Sequence, residues 1–283
     1  MKPTVRGVAL DVRGVVHIYR SEGHDVAALA GVDLRIDPGD LVGLLGPSGS
    51  GKSTLLTLCA GLFSPSAGTI RMNGTDLAAM SEADLDTFRA TTLGIVLQGA
   101  GRNLLSHLTT RDSIAHAQYP ARIRGASLQD PDEVLVALQI GHLTELRPRE
   151  LTAGQRQLVA LAVGVATNPG LLLADEPTSQ LTGHERERVI DALHRVNSAG
   201  TTVLVVTHDA HLASAMTRTV TIRDGRLGRQ AHRGRDYVQV TRDGAVPLPV
   251  EALEHMPAGT QVTVSRRPDG WLIVPENQPG AGT

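Results

Sequence analysis

The sequence predicts an α/β fold, a mainly parallel sheet covered by helices on both faces, followed by a small β-rich C-terminal module. Three observations predict it. Short apolar runs rich in β-branched residues alternate with longer helical patterns. Two of these runs, Leu171 to Ala174 and Thr202 to Val206, are apolar throughout, as strands buried on both faces are. After residue 236 the pattern shortens to brief alternating runs between Asp-Gly, Pro-Ala-Gly and Pro-Asp-Gly turns.

In chain order, strands are expected at Val12 to Ile18, Leu41 to Leu45, Thr69 to Met72, Leu93 to Leu97, Leu171 to Ala174, Thr202 to Val206 and Thr219 to Arg223. Helices are expected at Lys52 to Leu62, Ser81 to Ala90, Pro131 to Ile140, Thr152 to Thr167, Gly183 to Ala199 and His211 to Met216. Ser81 with Asp84 has capping-box spacing, and Asp130-Pro131 has the form of an N-cap followed by proline at the first helical position. Residues 99–150 lack clear strands, which makes 99–168 a helical subdomain within a first domain of residues 1–226. Asp224-Gly225 marks a hairpin turn. Residues 226–235 carry four arginines and no acid, so 227–236 is expected to be a solvated linker. The β-rich module would span 237–276, with 277–283 a frayed tail.

A chain of 283 residues holds one large domain, or one and a small one. The net charge of −2 provides no global field to recruit nucleic acid or acidic membrane, and six aromatic residues are poor material for stacking on bases. The single cysteine, Cys59, has no partner for an internal disulfide and is expected to be a small buried apolar residue. Residues 1–12 hold no apolar core of a signal peptide, and no stretch approaches the ~18 apolar residues of a membrane span. A cytoplasmic location follows as the expectation.

The chemistry begins at Gly46-Pro47-Ser48-Gly49-Ser50-Gly51-Lys52-Ser53-Thr54, which satisfies G-x-x-x-x-G-K-[ST] between an apolar strand and an apolar helix. Its glycines let backbone N–H groups face phosphate oxygens, and the helix N-terminus adds positive potential. Lys52 is placed to reach the β- and γ-phosphates, and the Ser53 hydroxyl to ligate magnesium. Only two of the 27 basic side chains are lysines, which makes the match at Lys52 specific. The sequence therefore predicts binding of a nucleoside triphosphate. The run Leu171 to Pro177 then delivers Asp175 beside that magnesium and places next to it Glu176, a carboxylate able to orient and deprotonate an attacking water. Thr207-His208-Asp209 ends another buried strand, from which the His208 imidazole can reach the γ-phosphate.

With these motifs the chain resembles the ABC-type ATPases over roughly Thr4 to Arg226, and within them the macrolide-export, lipoprotein-release and cell-division group. The run Leu29 to Gly39 before the phosphate loop supports that grouping. The resemblance implies a P-loop NTPase of ABC type with a mixed sheet core plus a helical subdomain. It implies ATP and Mg2+ as ligands, Tyr19 as the aromatic stacked on adenine, and Gln98 as the side chain sensing magnesium and water. It also implies that Leu151-Thr152-Ala153-Gly154-Gln155 is the signature element capping a second chain's ATP. Partners would then be a second ATPase chain, in a homodimer or heterodimer, and polytopic membrane permease subunits that dock on the helical insertion at the cytoplasmic face of a bacterial membrane. Nucleic acid is not among the expected partners.

The chain departs from the family pattern at three points. The usual L-S-G-G-Q signature has Thr152 and Ala153 at its second and third positions, Leu158 and Val163 stand where the family has arginines, and the usual S-A-L-D loop reads Ser179-Gln180-Leu181-Thr182. Thr152 keeps a hydroxyl for the γ-phosphate. The Ala153 methyl is expected to loosen the fit or to conflict with a positive φ, and the lost carboxylate at Thr182 to weaken communication between two sites. Slow or asymmetric hydrolysis, or pairing with a different chain, is the expectation.

Gln239 to Pro249, the short helix Val250 to His255, Pro257 to Val262 and the Trp271 strand resemble the AbrB/SpoVT-type swapped-hairpin module. Three arginines against five acids over Tyr237 to Thr283 argue against DNA binding and for a dimerisation or regulatory role. Two readings stand beside a transporter ATPase, namely a mechanotransmitting ATPase like the cell-division relatives and a soluble ABC ATPase with a regulatory C-terminal module. Against soluble repair types, 102 residues separate Lys52 from Gly154 without the heptads of a coiled coil.

Overall fold

The computed structural model describes residues 6–21, 24–232, 235–238, 246, 248, 250–257 and 259–276. Contacts divide the chain into two compact units, Met1–Tyr237 and Val238–Thr283.

The first unit opens with an antiparallel pair, β1 (Leu10–Ser21) and β2 (His24–Ile36), running from Leu10 opposite Ile36 to Ser21 opposite His24 with register shifts between Val12 and Ile18. β3 (Leu41–Leu45) leads through the glycine loop into α1 (Lys52–Cys59). β4 (Ala67–Met72) pairs with β1, and β5 (Thr75–Asp76) completes a four-stranded antiparallel sheet in the order β2-β1-β4-β5. α2 (Glu82–Thr91) starts at Ser81, whose hydroxyl accepts the Asp84 N–H at 3.2 Å. After β6 (Leu93–Val96), the insertion carries α3 (Thr110–Arg122) and α4 (Pro131–Ala137), the latter closed by a capping box between Asp130 and Glu133. Then follow α5 (Ala153–Gly164), β7 (Leu171–Asp175), α6 (Gly183–Ser198), β8 (Thr202–Thr207), α7 (Ala210–Ser214), β9 (Arg218–Arg223), β10 (Arg226–His232) and β11 (Arg235–Val238).

The second sheet has the order β11-β10-β9-β3-β8-β7-β6. Its β9, β3, β8, β7 and β6 are parallel, and β10 returns antiparallel on β9, so the sheet is mixed as expected. Period-two alternation explains its burial on both faces. Leu172 and Ala174 of β7 and Val203 and Val205 of β8 pack into a core with α3, α4, α5 and α6. Their neighbours Leu171, Leu173, Leu204 and Val206 pack into a second core with α1, β1, β2 and β4. α6 turns Val189, Ile190, Leu193 and Val196 inward at helical spacing. Cys59 is fully buried in the second core, and burial pushes its thiol up to about 12.

Three sequence expectations change. Residues 226–232 are a strand, not linker, and the first unit runs on to Tyr237. The Asp224-Gly225 turn, with φ of 49° and 70°, folds β10 back on β9, and the buried Gln230 accepts from Arg218 Nη2 at 2.7 Å. β2 was not foreseen, because Ala27, Ala28, Ala30 and Gly31 are weak strand formers that β1 holds in place by pairing. α1 ends at Cys59 rather than Leu62, with Gly61 in a left-handed turn at φ 64°.

In the second unit, the described elements are α8 (Val250–His255) and the hairpin of β12 (Val262–Arg267) with β13 (Gly270–Pro275), closed at Pro268-Asp269. Most of the Gln239 to Pro249 segment and the 277–283 tail lie outside the described residues.

Leu204, fully buried in the middle of β8, tests the two-sided core. Leu204→Ala is expected to cost about 3 to 4 kcal/mol, read as a lowered urea midpoint with an unchanged slope.

Candidate functional site

Parallel pairing aligns the carboxyl ends of β3, β8, β7 and β6, with Leu45 opposite Thr207, Val206 opposite Asp175 and Ala174 opposite Val96. Everything leaving those strands emerges at one edge, where open α/β sheets build their sites.

The glycine loop leaves β3 with no room for a side chain at Gly46 or Gly51. A Cβ on Gly46 would stand 2.2 Å from the Ile222 carbonyl oxygen, and one on Gly51, which caps α1 at φ 98°, 2.4 Å from that of Ala28. Lys52 is buried and turned into its own loop. Its Nζ donates to the carbonyls of Gly46 at 2.7 Å and Pro47 at 2.8 Å. The ammonium thus lies inside the ring of backbone groups over the N-terminus of α1, an arrangement that binds phosphate. Tyr19 projects from β1, half exposed, with its ring edge-on to His17 at 4.8 Å and its hydroxyl 3.3 Å from Thr54 Oγ1, so an aromatic face flanks the end of the loop.

Asp175 ends β7. Burial holds its carboxyl above the usual range, and the Glu176 charge adds to that, while the Ser53 hydroxyl, Lys52 and Arg102 pull the other way. Its Oδ1 is buried without a hydrogen-bond partner among the described residues. An orphaned carboxylate oxygen beside a serine hydroxyl is a hard oxygen donor set of the kind a small divalent cation takes.

Glu176 follows in the left-handed region, at φ 49°. Such a backbone costs on the order of 1–3 kcal/mol in a residue with a Cβ. Its N–H is fixed to the Val206 carbonyl at 2.8 Å. The side chain is buried with Oε1 2.7 Å from His208 Nδ1 and Oε2 accepting from Thr207 Oγ1 at 3.3 Å. Thr207 Oγ1 also accepts the Asp209 N–H at 3.0 Å, so the end of β8 orients the end of β7.

Gln98 is exposed two residues beyond β6, on a cleft of about 430 Å³ that it shares with Arg102, Ala153, Gln157 and Ser179. The loop holding it is fastened by Asn103, which accepts the Leu97 N–H at 2.8 Å and donates to the Leu97 carbonyl at 2.9 Å. No sequence motif marked Asn103 or Arg102.

The signature element opens α5. Thr152 caps it, Gln155 N–H donating to Thr152 Oγ1 at 3.2 Å and Thr152 N–H to Gln155 Oε1 at 2.8 Å. Ala153 is the first helical residue and is not among the positive-φ residues, so its methyl meets no backbone conflict. Thr152 and Gly154 both bond Glu185 of α6, a partner the sequence reading missed. Among the described residues, no hydrogen bond or ion pair joins Leu151–Gln155 to the phosphate loop.

A glycine cradle with a buried lysine, an orphaned aspartate and an oriented glutamate, all at one sheet edge, defines a nucleotide-hydrolysing P-loop protein. The chain belongs to the ABC transporter family, whose model matches residues 29–179. It is 37% identical to the lipoprotein-releasing system ATP-binding protein LolD 2 of Caulobacter vibrioides over 77% of its length and 96% of the relative's. It is 36% identical to the macrolide export ATP-binding/permease protein MacB of Chromobacterium violaceum, over 80% of its length and 35% of that larger protein's. Its fold is similar to that of the ATP-binding cassette MJ0796, solved as a dimer in a post-hydrolysis state with ADP and Pi. The TM-score is 0.70, at 29% identity over 79% of this chain and 98% of the other.

Replacing the buried Asp175 by asparagine separates stability from chemistry. Because burial disfavours the ionised carboxyl, Asp175 costs the nucleotide-free fold stability as pH rises through its raised folded pKa. Asp175→Asn is therefore expected to raise the melting temperature of the nucleotide-free protein at pH 7. It should also lower ATP hydrolysis by at least about 100-fold.

Proposed function

We propose that this chain is the ATP-hydrolysing subunit of a membrane transporter of the LolD/MacB type, an exporter or extractor working at the cytoplasmic face of the membrane with polytopic permease subunits. The observation that carries the chemistry is the buried Glu176 carboxylate, locked at 2.7 Å to His208 and by its own N–H to β8. Among the described residues no helix is long and apolar enough to cross a membrane. The transmembrane path of such a system would then belong to the permease.

In this reading the 46–54 loop and Lys52 hold the β- and γ-phosphates, and Tyr19 stacks on adenine. Ser53 and Asp175 would hold Mg2+, with Gln98 as the side chain sensing the ion and the attacking water. The ion, when bound, neutralises charge on the phosphate oxygens. Glu176 accepts a proton from water as the water oxygen bonds the γ-phosphorus and the bridge to the β-phosphate breaks, releasing ADP and phosphate. His208 positions Glu176 and meets the γ-phosphate. Thr152, Ala153, Gly154 and Gln155 cap the nucleotide of a second chain, which is why they are separate from this chain's own loop. The altered signature and Thr182 make hydrolysis slow or asymmetric, or make a different ATPase chain the natural partner.

The C-terminal unit, AbrB/SpoVT-like in its turns, is a dimerisation or regulatory appendage. Its hairpin exposes Val264, Trp271, Ile273 and Val274, and a two-stranded hairpin is marginal alone in water.

Glu176→Gln is expected to reduce turnover by more than about 10²-fold while ATP binding and an ATP-bound dimer persist. Hydrolysis at the parent rate would remove Glu176 from its role, and failure of any polytopic membrane protein to co-purify would count against transport. Deleting residues 238–283 is expected to leave ATP binding intact and to remove nucleotide-independent dimers in sedimentation.

A further inference from the structure

The N-terminus of α5 already holds an anion, and it belongs to the same chain. Glu185 Oε1 accepts from Thr152 Oγ1 at 2.9 Å and from the Gly154 N–H at 3.2 Å. The seat is close-fitting, since a Cβ on Gly154 would stand 2.7 Å from both Cβ and Cδ of Glu185. One carboxylate oxygen thus collects a hydroxyl and a backbone amide at a helix start, the donor set a phosphate oxygen takes.

Glu185 has reason to be elsewhere. Thr182 is the N-cap of α6 and Glu185 its third residue, the T-x-x-E spacing at which the glutamate normally accepts the N-cap backbone N–H. That box is not formed, and Thr182 caps α6 without any side-chain hydrogen bond. The carboxylate has instead crossed to the signature element, 33 residues back in the chain.

We propose that Glu185 is an internal stand-in for the terminal phosphate of ATP. In the single chain it holds Thr152 Oγ1 and the Gly154 N–H in place. When two chains close, the γ-phosphate carried by the other chain claims the same donors, and Glu185 withdraws to the capping position of α6. Two anions cannot share these donors, so the carboxylate competes with closure and raises the ATP concentration that closure needs. Glu185 is a positioning residue that acts through Thr152 and Gly154. The inference rests on the proposed role of 151–155 as the cap on a second chain's nucleotide.

The test places Glu185→Ala and the isosteric Glu185→Gln in a Glu176→Gln chain and follows dimer formation against ATP by sedimentation. Binding of a fluorescent ATP analogue to each chain is measured in parallel. Both substitutions are expected to lower the ATP midpoint for dimerisation by about 5-fold or more with analogue affinity unchanged, or to produce a dimer where the Glu176→Gln parent forms none. A merely structural tether predicts the opposite sign. Midpoints that stay or rise in both variants, or no dimer in any chain at saturating ATP, overturn the stand-in. If the Glu176→Gln parent binds no analogue, the ATPase reading itself falls.

Discussion

The first unit depends on strands that are apolar on both faces. β3, β7 and β8 are enclosed between two cores, so along their length they can carry no group that must meet water or a ligand. Polar chemistry is confined to the residues that leave them, and parallel pairing brings all those exits to one edge. Gly46, Asp175 and the Thr207–Asp209 turn are neighbours because Leu45, Asp175, Val206 and Thr207 are in register, not because the sequence places them near each other. The bonds from Thr207 and His208 to Glu176 follow from that register directly.

The same edge gathers charge that the folded chain balances only partly. Asp175 feels the charges of both Lys52 and Glu176, and Asp209 is answered separately by Arg186 at 3.4 Å. Lys52 spends its hydrogen bonds on two carbonyls of its own loop. Asp175, pushed toward its neutral form by burial and by Glu176, is the group most relieved by a cation. A phosphate chain would offer Lys52 charged partners in place of neutral ones. On the proposed reading, nucleotide and cation together would satisfy what neither would alone, next to the left-handed backbone of Glu176.

Much of this was legible in the residues, for reasons that differ by element. The phosphate loop and the Asp175-Glu176 pair were legible because backbone approach and strand exit each demand specific residue types at fixed spacing. β7 and β8 were legible because burial on both faces leaves an unbroken apolar run. β2 was not, since its alanines and Gly31 carry no strand signal and its conformation comes from β1. β10 was hidden by its arginines and Gly228, which read as a linker until β9 pairs with it. Asn103 was silent because its bonds to Leu97 and Gly99 depend on the loop's path, and Arg102 because it acts on Asp175 only once the chain is folded. Glu185 was worse than silent, for its spacing from Thr182 points to a local cap it does not make.

That last failure bears on how the two halves of the site relate. The phosphate loop is satisfied internally by Lys52 bonding its own carbonyls, and the signature element by Glu185 bonding its own donors. Each half is satisfied within the chain, by neutral carbonyls around Lys52 in one case and by a carboxylate in the other. Bound ligand then exchanges one set of satisfied bonds for another instead of filling unsatisfied groups, and the net gain is a difference between similar terms. On the proposed reading, such a balance would keep closure reversible, as an ATPase that must open after every turnover requires. Ala153 takes an ordinary helical backbone at the start of α5, and the carboxylate that meets the signature element is that of Glu185, sent across from α6 to Thr152 and Gly154.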